Sequence, residues 1–221
     1  MTSLLHLDAS ARPGALSRRV GQALADEFRA RDATADYTYR DLAADPVPHI
    51  THAWTEICDN LMRDRITDLS LLHLGARTAG QKEAWQTVEP LLAELVDADV
   101  VLIATPMYNY SVPSSLKAWI DQVTFPRMNL GARRFVVVAS RGGSYVAGSP
   151  KAAVEHQVRY LTDFVVGHFG VAEPAVIVVE LANARVDPLL EQFLDDHTSS
   201  LNAAIAAARR LGAQLAGGGD R

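Results

Sequence analysis

The stretch "VVLIATPMYNYSVPSSLKAW", residues 100 to 119, carries three local signals in succession. Val100 to Ala104 form an unbroken apolar run, as expected of a strand covered on both faces. Met107, Tyr108, Asn109 and Tyr110 then stand in a loop. Pro113 suits the first turn of a helix, and "PSSLKAWIDQV" (113 to 123) continues with helical spacing. A buried strand that passes through a loop into a helix is the repeating unit of an α/β sheet.

The same alternation extends in both directions. "LLHL" (4 to 7) precedes a helix with Val20, Leu24 and Phe28 on one face. "DYTYRDL" (36 to 42), "RFVVVAS" (134 to 140) and "AVIVVE" (175 to 180) read as further strands, with "DVVLIA" (99 to 104) between them. Helices are expected over 54 to 72, with Ile57, Leu61 and Ile66 inward, and over 81 to 96, with a kink at Pro90. Two more are expected over 151 to 166 and across most of 188 to 216. Five strands alternating with helices predict one open, doubly wound parallel sheet in a single domain over residues 1–216, followed by a frayed tail at 217–221.

Composition narrows the function. The chain has 221 residues, 48% hydrophobic, and a net charge of −5, which disfavours nucleic acid as a partner. Cys58 is the only cysteine, so neither an intrachain disulfide nor a cysteine-based metal cluster is available, and no metal site is expected. No apolar run approaches the roughly 20 residues that span a bilayer. A cytoplasmic location is the expectation.

Doubly wound sheets bind ligands beyond the carboxyl ends of their strands, so three loops matter. "DASARPGALSRR" (8 to 19) places Ser10, Gly14 and Ser17 just before a helix. That suits an anion cradle, although Ser17 could equally be a helix cap. No GxGxxG is present, and "GSYVAGSP" (143 to 150) lacks the Lys-Ser/Thr end of a Walker loop. The 106-to-110 loop offers polarisable and amide groups to a flat amphipathic ligand. "SRGGSY" (140 to 145) has two glycines that let backbone approach a ligand closely.

With these motifs the chain resembles the FMN-dependent NADH azoreductases and NADH:quinone oxidoreductases, a flavodoxin-like group once labelled acyl-carrier-protein phosphodiesterases. The resemblance runs from "LLHLDAS" to "AVIVVE". Its specific parts are Pro106-Met107-Tyr108-Asn109-Tyr110, matching P-M-Y-N-F with Tyr for Phe, then "VPSSLKAWID" and Ser140-Arg141-Gly142-Gly143. "ADPVPHI" (44 to 50) resembles a family segment near the active site.

The resemblance implies an α/β flavodoxin-like fold with strand order 2-1-3-4-5. It implies FMN with its phosphate at Ser10 and at Ala15, Leu16 and Ser17, and its ring between Pro106–Tyr110 and Ser140–Gly143. It further implies a homodimer, NADH or NADPH as hydride donor, and quinones or aromatic azo compounds as acceptors in ping-pong turnover. No catalytic side chain is required. Gly142, Gly143 and Tyr145 are expected to stabilise the reduced flavin, with Tyr145 and His168 in the substrate pocket. Competing readings are a flavodoxin-type electron carrier, an NAD(P)H:FMN reductase using flavin as substrate, and a flavin-free phosphoester hydrolase. The chain departs from the family at Ala15, where a serine is usual, in a short connection from Phe125 to Arg134, in an expanded 55-to-80 region, and at His168, where an aromatic is usual. The short connection and His168 together suggest a preference for bulky or polar acceptors.

Overall fold

The computed structural model describes residues 2–217; of the expected tail, residues 218–221 lie outside the described residues. Five strands form one parallel sheet in the order β2-β1-β3-β4-β5. They are β1 (Ser3–Asp8), β2 (Asp36–Asp41), β3 (Val100–Pro106), β4 (Arg134–Ser140) and β5 (Ala175–Val179). Between them run α1 (Leu16–Arg31), α2 (His52–Asp64), α3 (Ala79–Asp97), α4 (Ser114–Val123), α5 (Val158–Phe169) and α6 (Leu194–Ala216). None of the described helices is long and apolar enough to cross a membrane.

Alternate residues of each strand serve opposite faces. Leu5, Leu7, Val101, Ile103 and Val137 point to the side carrying α2 to α5, where they meet Trp119, Phe125 and Leu161. Leu4, Val100, Leu102, Val136 and Val138 point to the other side, against Val20, Leu24 and Phe28 of α1 and Ala204 and Ala208 of α6. Full burial of each large apolar side chain contributes about 1.5–3 kcal/mol. Here α1 and α6 pack unusually close. A Cβ added at Gly212 would stand 2.4 Å from the Leu24 carbonyl oxygen, so only glycine permits this crossing.

Two expectations need correction. The helix expected over 54 to 72 stops at Asp64, because Arg65 takes a left-handed conformation (φ 60); a 3-10 segment, Leu69–Gly75, follows. The helix expected over 151 to 166 begins only at Val158, after a short 3-10 turn at Ala152–Val154. Glu155 causes that late start: its carboxylate accepts from the amides of Gln157, Val158 and Arg159 at 2.9, 2.9 and 3.2 Å. Pro90 lies within α3, on its exposed side.

Candidate functional site

The carboxyl ends of β1, β3 and β4 open onto one cleft of about 410 Å³. At its first wall, the loop after β1 is tied down from beneath. Asp8 is fully buried and accepts from the Ser10 amide (3.0 Å) and the Tyr39 hydroxyl (3.1 Å). Arg18 bridges Asp8 and Asp41 at 2.8 Å each and donates to the Ser10 carbonyl at 3.1 Å. Burial pushes the Asp8 carboxyl above its ordinary range, while the Ser10 amide and Arg18 pull it back.

So anchored, the loop delivers the N-terminus of α1 to the cleft. Its cap is Ala15, in an extended conformation and without a side-chain cap bond. Ser17 is therefore not the cap; it lies inside the first turn. The amides of Leu16, Ser17 and Arg18 have no partner among the described residues. Neither has the Ser17 hydroxyl, which is completely buried. A buried polar group without a partner costs about 1–3 kcal/mol, so this terminus is built for a ligand that accepts hydrogen bonds. Ser10, Gly14, Ala15 and Leu16 line the cleft, and Ser17 sits just behind that wall. Free amides with a helix dipole behind them fit a phosphate.

The second wall is the loop after β3. The Met107 amide bonds to the Ser140 carbonyl (2.7 Å), which locks this loop to β4. Tyr108 and Ser111 exchange two backbone bonds of 3.0 and 3.1 Å around a two-residue turn. Asn109 (φ 49) and Tyr110 (φ 70) both have positive φ there. Such a turn favours glycine or asparagine, and a tyrosine in this region is uncommon. Strained backbone of this kind gathers at ligand sites. Pro106 to Tyr110 all line the cleft, and the Tyr110 ring meets Tyr145 edge-on at 6.5 Å.

The third wall is the loop after β4. Gly142 and Gly143 line the cleft, and neither amide has a partner among the described residues. A Cβ at Gly142 would come within 2.7 Å of the Asn183 side chain, so glycine is required for Asn183 to pack there. Ser140 and Tyr145 also border the cleft, and burial pushes the Tyr145 phenol above its ordinary range. Arg141 borders it too, but its guanidinium turns inward. It pairs with Glu155 and Glu180 at 3.1 Å each. Glu180 also accepts from the Ser144 hydroxyl (2.6 Å) and the Tyr145 amide (3.2 Å). One buried arginine thus holds the start of the glycine loop to the ends of β5 and the approach to α5.

Residues 2–201 match the family described as Flavodoxin-like fold. The chain belongs to that family. Among flavodoxin-like-fold relatives, the FMN-dependent NADH:quinone oxidoreductase of Nocardia farcinica is 58% identical over 212 residues, covering 96% of this chain and 98% of that protein. The enzyme of the same name from Frankia alni is 35% identical, covering 95% and 98%. Among solved structures, an azoreductase from Bacillus anthracis str. Sterne superposes with a TM-score of 0.79 at 21% identity, covering 97% of this chain and 100% of that one. An FMN-dependent NADH-azoreductase from Bacillus anthracis str. Ames Ancestor, in complex with FMN, gives 0.75 at 17%, covering 98% and 100%. These two structures share the flavodoxin-like fold.

Two expected contributors fall elsewhere in this chain. His168 does not border the cleft; its Nε2 lies 3.0 Å from the Phe125 carbonyl, and its ring stacks on Phe164 at 5.8 Å. Its place at the end of α5 makes it a tie to the short connection after Phe125. The segment 44 to 50 is likewise not among the residues that line the cleft; Pro48 accepts from Gln122 Nε2 of α4 at 2.9 Å. Conversely, sequence reasoning overlooked Arg12, Lys151, Asn183 and Arg185, all on the cleft wall. Cationic side chains in polar loops give no periodic signal that separates them from solvated ones.

Proposed function

We propose that this chain is an FMN-dependent oxidoreductase carrying reducing equivalents from NADH to quinones or aromatic azo compounds. One observation carries the reading. Three loops at a single sheet edge present a phosphate-ready helix terminus, a strained aromatic loop and a pair of unpartnered glycine amides around one cleft. The relatives named for this activity support it, above all the Nocardia farcinica enzyme at 58% identity. Flavin held there would supply two-electron redox chemistry linking donor and acceptor.

The protein supplies position and field. Leu16, Ser17 and Arg18 amides with the Ser17 hydroxyl would hold the phosphate, and Ser10 would border it. Met107 to Tyr110 would pack on the ring system from one side. Gly142 and Gly143 would aim N–H dipoles at charge that develops on reduction, at no reorganisation cost because Arg141 and Glu180 fix the loop in advance.

We also infer a homodimer. Supporting it, α5 displays a stacked row of Tyr160, Phe164 and His168, with Val166 exposed beside it. Sedimentation at roughly twice the chain mass would agree with this, by the commonest oligomer symmetry.

Equilibrium dialysis should give one FMN per chain. Ser17→Ala should weaken FMN by about 1.5 kcal/mol, roughly tenfold in Kd, the scale of a hydrogen bond to a charged group. The loaded protein should oxidise NADH when given a quinone, with parallel double-reciprocal plots. A protein that binds no FMN, or binds it without quinone-dependent NADH oxidation, would sink the proposal.

A further inference from the structure

Among the described residues, four cationic side chains line the cleft, Arg12, Arg141, Lys151 and Arg185, and no carboxylate does. Their charges have different destinations. Arg141 is neutralised by Glu155 and Glu180. Arg12 belongs to the loop that presents the α1 terminus, where free amides already await an anion. Lys151 and Arg185 lie on the opposite wall, contributed by the segments after β4 and β5. Neither has an ion-pair partner among the described residues, in a chain whose net charge is −5.

Lys151 is also not simply extended into solvent. Its Nζ would stand 3.7 Å from a Cβ built on Gly143, so the ammonium overlies the glycine loop. On the same wall Val186, next in sequence to Arg185, lines the cleft and is 75% exposed. Apolar surface next to unpaired cations is complementary to a flat ring that carries an acid group.

We propose that Lys151 and Arg185 make this cleft selective for electron acceptors bearing a carboxylate or sulfonate on an aromatic ring. The proposal rests on the oxidoreductase reading. The apolar lip takes the ring, and the two cations take the acid group at the cleft mouth. Unpaired cations of one sign also raise the local concentration of anionic substrate, an effect that salt screens.

The test uses the FMN-loaded full-length protein and its Lys151→Met, Arg185→Met and doubly substituted forms. A naphthoquinone and its sulfonated derivative serve as a matched acceptor pair. The readout is the ratio of kcat/KM for the anionic over the neutral acceptor, so a loss common to both cancels. Each substitution should lower that ratio by about fivefold at low salt, the upper range for exposed ion pairs. High salt should shrink the difference, and Lys151→Arg should retain the ratio. Calorimetry with redox-inert naphthalenesulfonate against naphthalenesulfonamide gives a second readout that needs no turnover. The sulfonate should bind more tightly to the native protein and lose that advantage in the double variant. An unchanged ratio together with equal binding of the two probes overturns the proposal. A rise in the NADH KM alone, or in the FMN Kd alone, would also overturn it by assigning the cations to donor or cofactor. Failure of the native protein to bind FMN or to reduce the neutral quinone would instead count against the oxidoreductase reading, while the calorimetric comparison still decides whether the wall selects anions.

Discussion

Replacing Arg141 with Met should destabilise the protein by about 3–5 kcal/mol, the cost of leaving a buried charge without its partner. Its side chain is 7% exposed, and the two carboxylates it holds are 14% and 12% exposed, so water cannot take its place cheaply. Removing it sets Glu155 and Glu180 against each other in the same pocket. The loss should appear as a lower urea midpoint at pH 7. Glu180→Gln should cost less, because an amide still accepts from Ser144 and the Tyr145 amide while Glu155 remains for Arg141. A loss below about 1 kcal/mol for Arg141→Met would mean that this cluster behaves like a surface pair.

Lowering the pH from 6.5 to 4 should remove about 3 kcal/mol of stability through His6 alone. This side chain is fully buried in β1 beneath α1, with Nδ1 3.0 Å from the Tyr37 hydroxyl. A Cβ at Gly21 would come within 2.8 Å of its other ring nitrogen, so no water fits between. Burial first, and the Arg18 guanidinium second, lower its pKa to about 4. The folded protein therefore holds His6 neutral, while the unfolded chain takes up a proton near 6.5. Stability is full above 6.5, falls as the pH drops, and levels off below about 4, where the folded form also protonates. Asp8 works in the opposite sense: its carboxyl is raised by burial, so the folded form gains relative stability as that group protonates, offsetting part of the loss. Chemical denaturation of the native protein and His6→Gln across this range should show a flatter dependence for the variant. Identical slopes would refute the assignment. Should the variant fail to fold, an NMR titration of His6 in the native protein decides the same point: an imidazole that titrates near 6.5 contradicts it.

The sheet was legible because its inner strands leave no doubt about burial. Val100 to Ala104 and Phe135 to Ala139 are apolar at every position, which only a two-sided cover explains. The strand-to-loop junctions then pointed to the site, since ligands gather at the carboxyl edge of such sheets. Helix ends were harder to read. Arg65 stops α2 with neither glycine nor proline to announce it, and Glu155 delays α5 through a carboxylate bond that no periodicity records. The supporting cluster was hidden for a related reason. Arg141 finds Glu180 across 39 residues of sequence, so only the register of β4 against β5 brings them together. His168 shows the reverse error: a motif position suggested a pocket, whereas the short chain after Phe125 supplies a carbonyl that claims its ring nitrogen.

The tight crossing at Gly212 bears on the order of assembly. The helix whose first-turn amides stand unpartnered at the cleft, α1, is made before α6, yet α6 is the partner pressed against its Leu24 carbonyl, and α6 follows every other described element. A nascent chain that has completed all five strands still lacks the α6 residues Ala204, Ala208 and Leu215 that share a core with Val20, Leu24 and Phe28. Contacts so distant along the chain close late, after their loop entropy has been overcome. The first turn of α1 at the cleft is therefore braced only once α6 has been made, so a ribosome stalled before α6 would hold a sheet whose cleft-facing helix is still unsupported.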